Sequence, residues 1–342
     1  MRRCLTTLLL AGALSGCASG GDRAADPTAP AAHVWVAQGD CDTTPSRARV
    51  MTTLAASGSA KACSVEQAWA VAEAGDTIRV ACGTYGWQGA SGPKQRETKV
   101  IGEPGCVRFV GTHECEQVFG AISVFCVLDA DHLTLARVTL DSEDVSGLSS
   151  CFRVPSGSTD VTVKDLKCHG DQPFVAVNAP GFKWLGGEIG EDDDGLPRTT
   201  CSEGGGEPLW LFDEADGAVI DGVVFRKRLI QQTPTPDLPG CGENDGLPHL
   251  ESIRLEDTDD VTVRNSVFKP GSDAGSGHLF SSKVPDRLTL IGNTFGRVRG
   301  SYSMQVPAAP DNWTVLRNTF AQPPLVGSAG GRWEHNRGLA RP

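Results

Sequence analysis

Asp260-Val-Thr-Val-Arg-Asn-Ser-Val-Phe268, Arg287-Leu-Thr-Leu-Ile-Gly-Asn-Thr-Phe295 and Asn312-Trp-Thr-Val-Leu-Arg-Asn-Thr-Phe320 are three copies of one pattern. Apolar and polar residues alternate in each, the period of a half-buried strand rather than of a helix. Toward the N-terminus the pattern recurs at residues 218–225, 160–168 and 132–140, with a weaker copy at 182–189. Aligning Thr134, Thr162, Lys183, Val219, Thr262, Thr289 and Thr314 gives steps of 28, 21, 36, 43, 27 and 25 residues. A short basal step interrupted by two long insertions belongs to a solenoid. Its coils stack as parallel strands about 4.8 Å apart. No single coil buries its apolar side alone, so stacking supplies the core.

Upstream of the repeats, Ser64-Val-Glu-Gln67 is a capping-box pattern and predicts a short amphipathic helix through Ala74. Ala74-Gly-Asp-Thr-Ile-Arg-Val-Ala-Cys-Gly-Thr-Tyr85 follows it. This opening closely resembles that of right-handed parallel β-helix proteins of the pectin-lyase-like superfamily, in which a capping helix leads into such a strand. The resemblance spans about residues 33–342. It implies an all-β right-handed parallel β-helix of about 25-residue coils, running from about Ala74 to the C-terminus as one domain. It implies little about activity, because the superfamily includes uronan lyases, glycoside hydrolases, epimerases, tailspikes and adhesins.

The N-terminus sets the compartment. Arg2 and Arg3, an apolar stretch from Leu5 to Leu14, and Leu14-Ser-Gly-Cys17 resemble the lipobox of bacterial lipoprotein signal peptides. That resemblance implies export, cleavage of residues 1–16 and lipidation of Cys17, on the extracytoplasmic side of a membrane. Residues 18–32, rich in Ala, Gly, Pro and Ser, then form a tether. No other apolar run nears the roughly 18 residues that span a bilayer, so the lipid is the expected membrane contact. Ten cysteines remain: Cys41, Cys63, Cys82, Cys106, Cys115, Cys126, Cys151, Cys168, Cys201 and Cys241. An even number without C-x-x-C spacing predicts disulfides, whose pairing the sequence leaves open.

With 31 Lys and Arg against 42 Asp and Glu the chain carries a net charge of −11, which argues against nucleic acid as a partner. The expected partner is a polysaccharide or surface glycan, and the expected state a monomer. Asn293 and Asn318 fall at matching places and Asn265 one residue off, which predicts a column of stacked asparagines at one turn.

Two insertions, residues 190–208 and 228–249, each carry an acidic turn ending in Gly-Leu-Pro. Each also contains one cysteine, Cys201 or Cys241, and a bridge between them is a natural expectation. Asp192, Asp193, Asp194, Glu243 and Asp245 are candidate Ca²⁺ ligands; two solvated loops account for them equally. A second strand per coil is expected at residues 209–213, 252–256, 279–283 and 303–307. If Ile253 and Leu255 point inward, Arg254 and Glu256 face solvent, with Asp213 or Glu214 one coil back and Ser281 and Lys283 one coil on. Asp213, Arg254, Glu256 and Lys283 are therefore the candidate catalytic residues, with His249, Glu251, His278 and Trp210 as candidate substrate-binding residues. A solvated ladder of ion pairs explains the same charges.

Two functions compete. A lyase would need a base, Lys283 or Arg254, and a positive group or Ca²⁺ to neutralise a uronate carboxylate, whereas a hydrolase would use two carboxylates such as Asp213 and Glu256. Trp87, Trp184 and Trp210 would be the sugar-stacking platforms. The alternative is a non-catalytic surface module for structure or adhesion.

Overall fold

Three short strands separated by corners make one coil, and successive coils stack with every strand parallel to its equivalent. The computed structural model describes residues 33–37, 41–42, 61–111, 113–116, 121–142, 149–169, 175–190, 208–226, 251–270, 277–281, 283–298, 302–308, 311–327 and 330–338. Strands Thr77–Val80, Thr98–Gly102, Leu133–Ala136, Val219–Asp221, Thr262–Arg264, Thr289–Ile291, Thr314–Leu316 and Arg332–Glu334 belong to the first face. The second face contains Val107–Val110, Thr139–Asp141, Val224–Phe225, Val267–Phe268, Thr294–Phe295 and Thr319–Phe320. Thr162–His169 and Lys183–Ile189 run through both faces. The third face is a separate sheet through Gln88–Ser91, Ala121–Leu128, Ser149–Val154, Val175–Val177, Leu209–Phe212, Ile253–Glu256, Leu279–Ser281, Met304–Val306 and Leu325–Val326. The fold is the right-handed parallel β-helix, the hand that parallel crossovers take almost without exception.

Most copies of the repeat therefore contain a corner and two strands rather than one strand. The corner is a column of left-handed residues, Arg137, Asp165, Gly186, Gly222, Asn265, Gly292, Arg317 and His335, with φ from 49° to 73°. Only glycine takes this conformation without cost, and other residues lose about 1–2 kcal/mol there. Stacking offsets that cost. The amides of Arg137, Gly222, Asn265, Gly292 and Arg317 each donate to a carbonyl of the next coil at 2.9–3.0 Å.

The asparagine column is present, one residue beyond the left-handed position. Asn318 Oδ1 accepts the Asn293 backbone N–H at 2.9 Å, and its Nδ2 donates to Leu290 O at 2.8 Å. Asn336 repeats the pattern below Asn318, and the buried hydroxyl of Ser266 continues it above Asn293. Asn265 is a left-handed residue instead, and its amide donates to Asp221 Oδ1.

Inward side chains form rows along the axis. Phe225, Phe268, Phe295 and Phe320 stack nearly parallel, with centroids 4.6, 4.6 and 4.9 Å apart, which is the strand spacing itself. At the N-terminal end the capping helix spans Val65–Val71, three residues shorter than expected, with Val65, Ala68 and Trp69 buried. Ser64 Oγ accepts the Gln67 N–H, and Lys94 closes the helix early by donating to Trp69 O and Ala72 O. The stack also extends upstream of Ala74, because His33–Val36 pairs with Thr77–Val80.

Disulfides join Cys82 to Cys106, Cys115 to Cys126 and Cys151 to Cys168, and Cys63 is also disulfide-bonded. Cys201 and Cys241 lie outside the described residues. Among the described residues no helix is long and apolar enough to cross a membrane.

Candidate functional site

The outer side of the third face carries the candidate residues. In Leu209–Phe212 and Ile253–Glu256, Leu209, Leu211, Ile253 and Leu255 point into the core, and Trp210, Phe212, Arg254 and Glu256 point out. The register sets Trp210 beside Arg254, Phe212 beside Glu256 and Arg254 beside Phe280. One outward row therefore reads Arg153, Ala176, Trp210, Arg254, Phe280, Gln305 and Leu325 along the axis.

Three of these side chains form a connected unit. The Trp210 indole N–H donates to Glu256 Oε2 at 3.1 Å. Arg254 Nη2 lies 3.4 Å from the same oxygen, and the guanidinium carbon sits 5.5 Å from the Trp210 ring centroid. Phe212 packs against Trp210 with centroids 4.6 Å apart. Further along, Phe280, Gln305, Val306, Pro307 and Leu325 line an open hollow of about 380 Å³. Gly327 also lines it, and no side chain fits there, since a Cβ would stand 1.8 Å from Pro307 O.

The expected residues come together only in part. Asp213 is exposed at a left-handed corner, φ 49°, and its amide donates to Glu256 O. Lys283 lies beyond its strand, and its ammonium pairs with Asp257 at the corner. Ser281 faces inward and is buried, because Leu255, its partner in register, does so too. Phe280 takes the outward place expected for it.

His278 and Glu251 are corrections of a second kind. Both are interior residues, 2% and 0% exposed, and neither reaches the groove edge. His278 sits between Ser252 Oγ and Gly296 O, at 3.0 Å from each, with its ring against Phe268. Burial pushes its pKa down to about 4, against the smaller opposing effect of the bond to Gly296. The neutral ring donates Nε2–H to that carbonyl and accepts the Ser252 hydroxyl at Nδ1. Trp184 is also fully buried and offers no platform; Trp87 is half-buried.

His249, Asp192, Asp193, Asp194, Glu243 and Asp245 lie outside the described residues. Among those described, one group of potential metal ligands gathers, Cys82, Glu103 and Cys106, and its two sulfurs are joined to each other. Phe212, Phe280 and Arg153 escaped the sequence reading. For Phe212 the alternation Leu-Trp-Leu-Phe at 209–212 contains the signal, since it sets Phe212 on the same side as Trp210.

No family model matches the chain, and no curated protein matches it. Among solved structures it is similar to an alginate lyase from Paenibacillus sp. str. FPU-7, at 13% identity and TM-score 0.42 over 80% of this chain and 95% of that one. It is also similar to the GH136 lacto-N-biosidase from Eubacterium ramulus, at 10% identity and TM-score 0.40 over 89% and 67%.

Proposed function

We propose that the protein binds a polysaccharide along the outer side of its third face. The observation that carries this reading is the unit of Trp210, Arg254 and Glu256. An aromatic ring offers the apolar side of a sugar a surface, while a charged donor and a fixed carboxylate stand ready for its hydroxyls. Arg254 and Trp210 hold Glu256 Oε2, and none of its contacts among the described residues engages Oε1. Two strands along, Phe280 repeats the apolar surface at about 9.6 Å.

Binding fits this geometry better than cleavage. Arg254 is engaged by Glu256, and Lys283 by Asp257, so each candidate base of a lyase already has an anionic partner. In the same proposal the chain is an exported lipoprotein held through Cys17, with residues 18–32 as the tether. Glycan-array binding of the purified full-length protein tests the groove. Trp210→Ala and Glu256→Gln should each weaken capture of whichever glycan binds. Unchanged capture in both variants, with the fold intact, would remove the groove.

A further inference from the structure

At its N-terminal end the interior packs against the capping helix, which buries Val65, Ala68 and Trp69. The other end is built differently. Among the described residues the last strand of the first face, Arg332–Glu334, pairs on one side with Thr314–Leu316, and no strand pairs with its other side. Leu325–Val326, the last strand of the third face, likewise pairs with Met304–Val306 alone. Val326 and Trp333 pack on the core but stay half-buried, and Leu325 is 36% exposed. A β edge that ends an apolar interior is a template for another strand, and a solenoid needs its terminal coil covered.

The backbone of this edge points outward at one residue. Arg332 N–H donates to Trp313 O at 2.9 Å, and Glu334 O accepts the Arg317 N–H at 3.0 Å, so the backbone groups of Arg332 and Glu334 face the preceding coil. Successive residues of a strand turn their backbone groups to opposite sides, and the N–H and C=O of Trp333 therefore face away from the stack. The side chains alternate as well. Trp333, in register with the buried Val315, points inward, and its indole N–H donates to Gly330 O at 2.7 Å. Arg332 and Glu334 point outward, 61% and 39% exposed, with Nη2 and Oε2 2.7 Å apart.

We propose that two copies of the chain join tail to tail at this edge, in place of the monomer expected from the sequence. An antiparallel pair on a two-fold axis at Trp333 lets the two Trp333 residues exchange both N–H···O=C bonds. This register also opposes unlike charges. Arg332 lies across from the partner's Glu334 twice, whereas centring the pair on Arg332 or on Glu334 sets like charges together. The two indole rings, both directed inward, then meet and close the two interiors against each other. This surface is distinct from the third-face groove, and its reading does not depend on that one.

The test is sedimentation velocity of the full-length protein in mild detergent over a range of concentrations, with backbone hydrogen exchange at residues 331–335 followed in parallel. The parent should show a monomer–dimer equilibrium, and the Trp333 amide should exchange more slowly as the dimer fills. Glu334→Lys and Arg332→Glu should each raise the dimer dissociation constant about tenfold, because two opposite-charge pairs become like-charge ones. Mixing the two variants should restore the parent's dimer, since each then meets opposite charge in the other. Both positions are exposed, so each variant alone should keep the parent's circular dichroism. A parent that stays monomeric at every concentration would overturn the proposal. So would a dimer indifferent to both substitutions, or one that leaves exchange at Trp333 unchanged, since the contact would then lie elsewhere.

Discussion

The indole N–H of Trp210 reaches the carboxylate of Glu256, 46 residues further along the chain, across 3.1 Å. Only stacking of adjacent coils brings these residues together. With the Arg254 guanidinium 3.4 Å from the same oxygen, the carboxylate is oriented by a hydrogen bond from the neighbouring strand and an ion pair within its own. A side chain held in this way does not lose its rotamer freedom on meeting a ligand, which lowers the cost of binding.

Glu256→Ala should therefore weaken glycan binding by about tenfold, equivalent to 1.4 kcal/mol, through loss of its own contacts and release of Arg254. The pair is partly exposed, so folding stability should change by less than about 1 kcal/mol. Titration calorimetry and denaturant unfolding on one protein preparation separate the two effects. A large stability loss with unaltered affinity would make the unit a structural clamp instead.

Asn318→Ala should be far more damaging than its neutral chemistry suggests. The side chain is fully buried and accepts from the Asn293 backbone N–H while donating to Leu290 O. Removing it leaves both groups unpaired in the interior, at about 1–3 kcal/mol each. Urea unfolding should show a loss of several kcal/mol, whereas Asn265→Ala, at an exposed corner, should cost much less. Equal losses at the two positions would contradict the assignment of the column to Asn293, Asn318 and Asn336.

The repeat was legible because alternation and step length follow directly from strand pairing. The corner inside each repeat was not, because Arg137, Arg317 and His335 occupy left-handed positions that sequence alone assigns to Gly or Asn. The third-face strand was legible at Arg254 and Glu256, where charge alternates with Ile253 and Leu255. Register one coil on was not, because Leu-Phe-Ser at 279–281 puts a serine inside and a phenylalanine outside. Local polarity misleads there, and the neighbouring strand decides. His278 was misplaced for the same reason, since its two hydrogen-bond partners come from residues 18 and 26 positions away.

Cys17→Ser should abolish membrane association if the N-terminal resemblance reflects processing. Fractionation of cells expressing each form checks it, with metabolic labelling by a fatty acid as a second readout. A mutant that sediments with membranes as the parent does, unlabelled in both cases, would refute the anchor.

The interior histidine carries the last prediction, which concerns pH. His278 has a folded pKa lowered to about 4, while an unfolded histidine titrates near 6.5. A depressed pKa means that the unfolded chain takes up the proton first. The contribution is therefore present in full above the unfolded value and is lost as pH falls from about 6.5 toward 4. The difference in pKa corresponds to roughly 3 kcal/mol at most. Charging the ring would place a cation among Phe268 and Phe295 and deprive the Ser252 hydroxyl of its acceptor. Denaturant unfolding at intervals between pH 7 and 4 should show stability declining through this window. His278→Phe should be less stable than the parent at pH 7, with Ser252 and Gly296 unpaired, yet its profile should be flatter between pH 6.5 and 4. Parallel profiles for parent and variant would show that His278 takes up its proton at nearly the same pH in the folded protein as in the unfolded chain, and so has no part in its acid lability.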